Sequence, residues 1–137
     1  MSEAFILDFR LAVDSEPVLT LPLCDVRLMN DARFPWLIMV PRRMGKVEIA
    51  DLDAADRGLL IEEIASVSRA LKAVTDCHKL NVAALGNAVK QLHVHVIVRL
   101  TGDAAWPKPV WDIGEAIAYR PEERNRLIGL IRTALPT

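Results

Sequence analysis

Short apolar stretches, which are typical of β-strands, occur before residue 41 and again between residues 82 and 99. Residues 4–29 should contain two or three strands. The stretches predicted as strands along the chain are Phe5–Leu11, Val18–Cys24, Val26–Met29, Trp36–Val40, Val82–Leu85 and Leu92–Arg99. The run Trp36–Val40 is wholly apolar and stops at Pro41. It should therefore be buried on both of its faces.

A helical period separates the two groups of strands. Its apolar positions, spaced 4, 3, 4 and 3 residues apart on one helix face, are Leu60, Ile64, Val67, Leu71 and Val74. Asp51 or Asp53 can cap the start of this helix, and its end is expected between residues 76 and 79. A second helix should begin at Pro121 near the C-terminus. Strands, a helix, further strands and a terminal helix together predict an α+β fold.

Length and charge bound the class of protein. The chain has 137 residues, which predicts one domain over residues 1–137. It is 52% hydrophobic, and 17 basic residues face 18 acidic ones, so the net charge is −1. This composition excludes a disordered chain, and the missing basic excess excludes a general nucleic-acid-binding protein. An apolar surplus with so little net charge indicates a buried subunit interface.

The cysteines and the N-terminus indicate the compartment. Cys24 and Cys77 form neither a disulfide framework nor a zinc knuckle, so both are expected to be reduced thiols. The first ten residues include acidic ones and no long apolar stretch, unlike a secretory signal. No run approaches the roughly 18 apolar residues of a membrane span. We expect a soluble cytoplasmic protein with no membrane partner.

Two of the three histidines fall within one predicted strand, residues 92–99. Because alternate strand residues share a face, the even-numbered residues from Leu92 to Val98 should enter an apolar layer. Gln91, His93 and His95 should then point the other way together. Just upstream, Gly86 allows a close approach of the backbone to an anion, and Asn87 adds a side-chain donor.

These segments resemble the histidine triad (HIT) hydrolases and nucleotidyl transferases. The family motif is His-φ-His-φ-His-φ-φ, where φ is apolar, with Gly-Gln shortly before it, and the chain has Gly86-Asn87 and then Gln91-Leu92-His93-Val94-His95-Val96-Ile97. Residues 31–42 and 106–111 match two further blocks, so the resemblance covers residues 4–112. It implies a HIT-like antiparallel sheet of about five strands, with one long helix and a C-terminal helix. It also implies a homodimer, and attack on the α-phosphorus of a nucleoside phosphate derivative with no cofactor or metal.

The resemblance also assigns roles by position. His93 falls on the nucleophile, which forms a nucleotidyl-histidine intermediate, and the Gly86 carbonyl on the acceptor for its other ring nitrogen. His95 would bind a phosphate oxygen or orient the site. Asn87 falls on the phosphate-contacting glutamine, and Asn30 and Asp31 lie near the ribose-contacting segment. Expected substrates are dinucleoside polyphosphates, such as diadenosine polyphosphates, and nucleoside phosphoramidates.

Three positions depart from the family pattern. Gln91 stands where the first histidine is expected, and as a site residue its amide can donate a hydrogen bond to a phosphate or leaving-group oxygen but cannot act as a general acid. This favours substrates whose leaving group is stable without a proton, such as a nucleotide or pyrophosphate. Met44 stands where many members have a further histidine, and Ala88 where a serine or threonine is frequent. The activity could therefore be slow or specialised.

Other functions stay open at this level. One is a nucleotide-binding protein with little catalysis. Another is a zinc hydrolase, in which the third ligand would be His78, Cys24, Cys77 or a distant carboxylate. His93 and His95 could also be plain surface residues. Arg99 is equally compatible with a phosphate contact and an ion pair. For Trp106 and Trp111 the role of loop anchors is favoured over that of base-stacking residues.

Overall fold

The computed structural model describes residues 4–135, which form a five-stranded sheet and three helices. The elements are α1 (Phe9–Asp14), β1 (Ser15–Thr20), β2 (Cys24–Met29), β3 (Trp36–Pro41), α2 (Ala54–Val74), β4 (Lys79–Ala83), β5 (Val94–Arg99) and α3 (Pro121–Ala134). The strand order is β1-β2-β3-β5-β4, and every neighbouring pair is antiparallel. The α+β class, the five antiparallel strands, the long helix and the C-terminal helix are confirmed.

One face of the sheet, the helix-covered face, packs against α2 and α3. Its core combines even-numbered side chains of β5, such as Val94 and Val96, with Leu60 and Leu71 of α2 and Ile131 of α3. The Asp53 carboxylate caps α2 by accepting a hydrogen bond from the Asp56 amide at 2.8 Å. Asp53 is thus the cap, and α2 ends at Val74, slightly before the expected residues.

The opposite face, the loop-covered face, is closed by α1 and by the irregular segment 101–119. Its buried side chains come from β3, β5, α1, segment 101–119 and the turn before β3: Leu11, Phe34, Trp36, Ile38, Val40, Ile97, Ala105 and Val110. Strand β3 contributes to both cores, and all six of its residues are buried, as the sequence predicts. The two faces therefore have cores of different construction.

The structure corrects several boundaries. The predicted strand Phe5–Leu11 is wrong, because the Asp8 carboxylate accepts a hydrogen bond from the Arg10 amide and starts α1. Strand β1 begins at Ser15, and β2 already at Cys24, so the predicted strand Val18–Cys24 is split by a turn at residues 21–23. Strand β4 is Lys79–Ala83 rather than Val82–Leu85. Strand β5 starts at Val94, which leaves His93 in the loop immediately before it.

None of the helices in residues 4–135 combines the length and the apolar composition needed to cross a membrane.

Candidate functional site

His93 and His95 lie side by side at the start of β5, on the loop-covered face. His95 is directly opposite Ile38 of β3, and the two imidazole rings are 4.9 Å apart between centroids. Both side chains are about 5% exposed. The predicted division of the strand is confirmed, because the even-numbered residues from Leu92 to Val98 all belong to the core under the helices.

One ring nitrogen of His93, Nδ1, is held by a main-chain carbonyl. Its Nδ1 lies 2.7 Å from the Gln91 carbonyl oxygen. A carbonyl only accepts, so Nδ1 bears the proton and Nε2 has the free lone pair. The expected acceptor, the Gly86 carbonyl, is therefore wrong. Gln91, which lies just before β5, provides the acceptor with its own carbonyl oxygen. This tautomer is the one that nucleophilic attack by Nε2 requires.

Gly86 is nevertheless against the His93 ring. A Cβ at Gly86 would lie 2.6 Å from the Val89 carbonyl oxygen and 3.1 Å from His93 Cε1. The first distance is a backbone clash that no side chain can relieve by rotating. Glycine is therefore required here for close packing, which brings the Gly86–Lys90 loop beside the imidazole.

His95 has both ring nitrogens engaged by the protein. Trp36 donates its indole N–H to Nδ1 at 3.0 Å, and Nε2 lies 2.9 Å from the Leu85 carbonyl oxygen. Because an indole only donates and a carbonyl only accepts, His95 is the neutral Nε2–H tautomer. The pKa of His95 is lowered to about 4, mainly by burial and to a smaller extent by the neighbouring His93, and the hydrogen bond to Leu85 partly opposes this shift. These contacts favour the orienting role of the two roles expected for His95.

The side-chain amide of Gln91 is paired with the main chain of the N-terminal segment. Its Oε1 accepts from the Asp8 amide at 2.8 Å, and its Nε2 donates to the Ile6 carbonyl at 2.9 Å. This placement differs from the expected direct contact with a phosphate or leaving group. Sequence reasoning could not find it, because the partners are 83 and 85 residues away.

A pocket of about 170 Å³ has His93 in its wall. Gly86, Asn87 and Lys90 of the Gly86–Lys90 loop also line it, together with Val47 and Glu48. Asn87 is exposed, as a ligand-contacting amide must be. Lys90 was missed by sequence reasoning, although a lysine beside a glycine-containing loop is a recognisable anion-binding feature.

A larger pocket of about 380 Å³ lies on the same face, lined by Asn30, Asp31, Trp36 and Trp111. A cluster of packed rings lies between the two pockets. Trp36 and Trp111 both pack against His95, at centroid distances of 5.6 and 5.1 Å, and His95 contacts His93. The histidine pair thus separates a small polar pocket from a larger one with aromatic walls, an arrangement that suits a phosphate joined to a nucleoside.

Asn30 and Asp31, expected near a ribose, both line the larger pocket. The Asn30 Oδ1 accepts from the Tyr119 amide at 2.9 Å, and both Asp31 oxygens accept from Arg33, at 3.0 and 2.9 Å. Burial alone would raise the pKa of Asp31, but the Arg33 hydrogen bonds and a contact from the Ile117 amide lower it. Asp31 is therefore an ionised acceptor at the pocket wall.

Arg99 is a correction. Of the two roles that the sequence left open, the phosphate contact is wrong, because Arg99 is 2% exposed and paired with Asp103 at 2.8 and 3.0 Å. It also donates to Asn81 and lies over the rings of Phe34 and Trp106. At about 3.3 Å per residue, Arg99 is roughly 20 Å along the strand from His93. The structure places it in the ion-pair alternative.

Two arginines that follow β3 have structural partners, and the two tryptophans of segment 101–119 have different surroundings. Arg42 pairs with Asp25, Arg43 pairs with Asp56, and Trp106 packs over Arg99, whereas Trp111 lines the larger pocket. In the part of the chain that the structure describes, no three His, Cys, Asp or Glu side chains converge in a way that could hold a metal ion. The zinc alternative therefore lacks its third ligand among these residues.

Comparison with known proteins agrees with this geometry. Residues 10–102 match the family model described as the HIT domain. A histidine triad protein from Bradyrhizobium japonicum is 48% identical, with 98% of this chain and 100% of that chain covered and a TM-score of 0.96. Similar proteins from Sinorhizobium meliloti 1021 and Marinobacter aquaeolei VT8 are 46% and 41% identical, cover 96% and 97% of this chain and 97% of their own, and both have TM-scores of 0.94. No curated protein matches the chain.

Proposed function

The chain belongs to the histidine triad family, and from this premise we propose that it is a metal-independent nucleotide hydrolase or nucleotidyl transferase. The family includes nucleotide hydrolases as well as binding proteins. The proposed substrates are nucleoside phosphate derivatives such as dinucleoside polyphosphates and nucleoside phosphoramidates. The observation that supports catalysis is the His93 tautomer, in which Nδ1 is held by a carbonyl and Nε2 has the lone pair beside a pocket.

In the proposed reaction His93 Nε2 attacks the α-phosphorus of the substrate. A phosphorus–nitrogen bond forms, the bond from phosphorus to the leaving group breaks, and the leaving group departs with the electron pair. Water or an acceptor nucleotide then attacks the same phosphorus and releases the imidazole. As the imidazole becomes positively charged, the Gln91 carbonyl, 2.7 Å from Nδ1, stabilises it.

The rest of the site supports binding and orientation. Asn87 and the amides of the Gly86–Lys90 loop would donate to the phosphate oxygens in the smaller pocket. The nucleoside would occupy the larger pocket, where Asp31 accepts from ribose hydroxyls and Trp111 lines the wall. His95 would hold Leu85, and with it this loop, in place through its Nε2–H.

Replacement of the nucleophile tests the proposal. We expect His93→Ala to reduce turnover of a panel of dinucleoside polyphosphates and phosphoramidates by at least about 10³-fold. His78→Ala is the matched control, because the His78 ring accepts a hydrogen bond from the Thr101 amide, outside the site. A thermal melt should show that both variants fold. Trapping of an acid-labile phosphohistidine on wild type would support the intermediate, and wild-type turnover by His93→Ala would contradict it.

A nucleotide-binding protein with little catalysis is the second candidate. One contact favours it: the Gln91 amide is engaged by Ile6 and Asp8, so this side chain provides no proton for a leaving group. Micromolar AMP binding by the wild type, without turnover of any panel member, would establish this alternative. Robust turnover that depends on His93 would remove it.

We also propose a homodimer in the cytoplasm. Ile61 of α2, Val82 of the edge strand β4 and the nearby Leu85 are 58%, 48% and 39% exposed, and together they offer apolar surface to a second copy. Both cysteines are unpaired, in agreement with a reducing compartment. Light scattering at micromolar concentration should give twice the chain mass of 15.2 kDa, and a monomer would contradict the dimer.

A further inference from the structure

The three positions that depart from the family pattern all contact one short segment, Ile6–Arg10. Gln91 replaces the first histidine, and its amide bonds to the main chain on both sides of Leu7, at Ile6 and Asp8. Met44, in place of a further histidine, accepts from the Ile6 amide at 3.3 Å. The Ala88 carbonyl accepts from the Arg10 guanidinium at 3.0 Å. The side chains of Gln91 and Met44 therefore share one structural consequence, and the main chain at Ala88 adds a third contact with the same segment.

Gln91 holds the segment as a neighbouring strand would. Its two amide contacts, 2.8 and 2.9 Å long, engage a donor and an acceptor two residues apart. An imidazole has only one donor and one acceptor on opposite sides of its ring, so it could not make this paired contact. A glutamine here therefore fixes the segment beside His93, and the Asp8 carboxylate caps α1 at the end of the segment.

Arg10 has unpaired N–H donors beside the Gly86–Lys90 loop, whose Ala88 carbonyl it contacts. Three of its N–H groups bind the Asp8 carboxylate oxygens and the Ala88 carbonyl. A guanidinium has five N–H groups, so two have no partner among residues 4–135. The side chain is 48% exposed. Arg10 hydrogen bonds lower the pKa of Asp8, so both members of the pair are charged, and the Asp8 amide binds the side chain of Gln91, two residues before His93.

We propose that Arg10 is a substrate-binding residue that contacts the phosphates of the leaving group, and that Gln91 is the positioning residue that holds Arg10 there through the segment Ile6–Arg10. The proposal rests on the proposed function and narrows its substrate class to nucleotides with phosphates beyond the α-position. A polyphosphate leaving group needs charge stabilisation rather than a proton. A guanidinium supplies this charge, and the amide of Gln91 supplies no proton.

Binding of two probes tests Arg10 without turnover. The probes are AMP and α,β-methylene-ATP, in which carbon replaces the bridging oxygen that would be cleaved, together with their guanosine counterparts. We expect Arg10→Ala to weaken binding of the triphosphate probe about tenfold and to leave AMP within about twofold, because only the former has distal phosphates. Arg124→Ala is the matched control, since Arg124 is also an exposed arginine paired with an acid, Glu16, on another part of the surface.

Asp8→Asn tests the sign of the effect. It keeps an oxygen that caps α1 and keeps the main-chain contact with Gln91, but it removes the negative charge beside Arg10. The triphosphate probe should bind about threefold more tightly, and AMP should be unaffected. Weaker binding of the triphosphate probe would overturn the assignment of Arg10.

Gln91→Leu tests the positioning role. It should reproduce the selective loss of triphosphate binding, and Arg10→Ala combined with Gln91→Leu should lose no more than Arg10→Ala alone. Amide hydrogen exchange at Asp8 should accelerate in Gln91→Leu, which a contact between Gln91 and the leaving group would not produce. Additive losses, or equal losses for AMP, would overturn this role.

The outcomes separate this inference from the proposed function. If both probes bind and Arg10→Ala affects them alike, the inference fails while the test of His93 is untouched. If His93→Ala retains turnover but triphosphate binding still depends on Arg10, the mechanism fails and the inference stands as a binding property. If no nucleotide binds to the wild type, both fail.

Discussion

The two faces of the sheet differ in what makes them stable. The helix-covered face is held by aliphatic side chains of α2 and α3, which pack on the strands with few polar groups. The loop-covered face buries an arginine, an aspartate and two histidines among its aromatic side chains. Each buried polar group there has a partner, and among the described residues no buried side-chain N or O lacks a hydrogen bond. Stability on one face thus depends on packing, and on the other on paired polar groups.

The largest expected loss of stability comes from breaking the buried ion pair on the loop-covered face. Arg99→Met should lower the free energy of unfolding by about 4 kcal/mol, because Asp103 would be left charged and poorly compensated. Burial would raise the pKa of Asp103, but Arg99 and three main-chain amides hold it at about 2, so this carboxylate stays ionised. Urea unfolding at pH 7.5 measures the loss.

Arg43→Met is the control for this substitution. Arg43 also pairs with an aspartate, Asp56, but its side chain is 42% exposed, and the expected loss is below about 1 kcal/mol. Equal losses in the two variants would show that burial does not strengthen the Arg99 pair and would remove the distinction between the faces.

A cavity on the helix-covered face should cost slightly less. Leu60→Ala should lower the free energy of unfolding by about 3 kcal/mol, since Leu60 is fully buried between α2 and the sheet. Leu130→Ala, on α3 and 43% exposed, should cost less than about 1 kcal/mol. Leu60→Ala should also keep the wild-type affinity for AMP under conditions where it is folded, and a large loss of affinity would contradict the independence of the two faces.

The pH dependence of stability should come from the loop-covered face. The pKa of His95 is about 4 in the folded protein and about 6.5 in the unfolded chain. The unfolded state therefore binds a proton that the folded state refuses, and stability falls as the pH drops below about 6.5. Between pH 7.5 and pH 5 the loss should be about 2 kcal/mol.

Two substitutions identify the residue responsible. His95→Asn should flatten this pH dependence, whereas His78→Asn should leave it unchanged, because His78 lies outside the buried cluster. Carboxylates contribute mainly below about pH 5, so the chosen window separates the histidines from the carboxylates. A wild-type curve without slope between pH 5 and 7.5 would contradict the assignment.

The smallest expected effect is the loss of one hydrogen bond. Trp36→Phe removes the N–H that binds His95 Nδ1 and should lower stability at pH 7.5 by about 1 kcal/mol. It also frees Nδ1 to take a proton, so the pKa of His95 should rise and the pH dependence should shrink. Trp106→Phe is the control, because the Trp106 ring covers Arg99, and it should leave the pH dependence intact. The same slope of stability against pH in the wild type and both variants would contradict the role of the Trp36 indole.

The sequence predicted the helix-covered face far better than the loop-covered one. The period of α2, the Asp53 cap and the alternation in β5 are local signals, and all three are present in the structure. The pairing of His93 and His95 also followed from strand alternation. Local patterns were misleading at α1, where the hydrogen bond between the Asp8 carboxylate and the Arg10 amide outweighs an alternating pattern.

The contacts of the site could not be predicted, because they join distant parts of the chain. Gln91 reaches back to Ile6 and Asp8, Trp36 reaches forward to His95, and the His93 acceptor is the Gln91 carbonyl rather than that of Gly86. Arg99 stands beside the histidine motif, but Asp103 compensates its charge in a buried loop. Motif spacing identifies which side chains share a face, and it does not identify which of them already have partners.

The distribution of tryptophan gives the molecule a built-in optical probe. The chain has three tryptophans, and Trp36, Trp106 and Trp111 all belong to the loop-covered face. Intrinsic fluorescence therefore reports on that face alone, whereas far-ultraviolet circular dichroism is dominated by α2 and α3 on the other. Monitored together in one unfolding experiment, the two signals would show whether the faces melt as one cooperative unit. Because Trp36 and Trp111 line the larger pocket, the same emission would also register its occupation by a ligand, with no label attached.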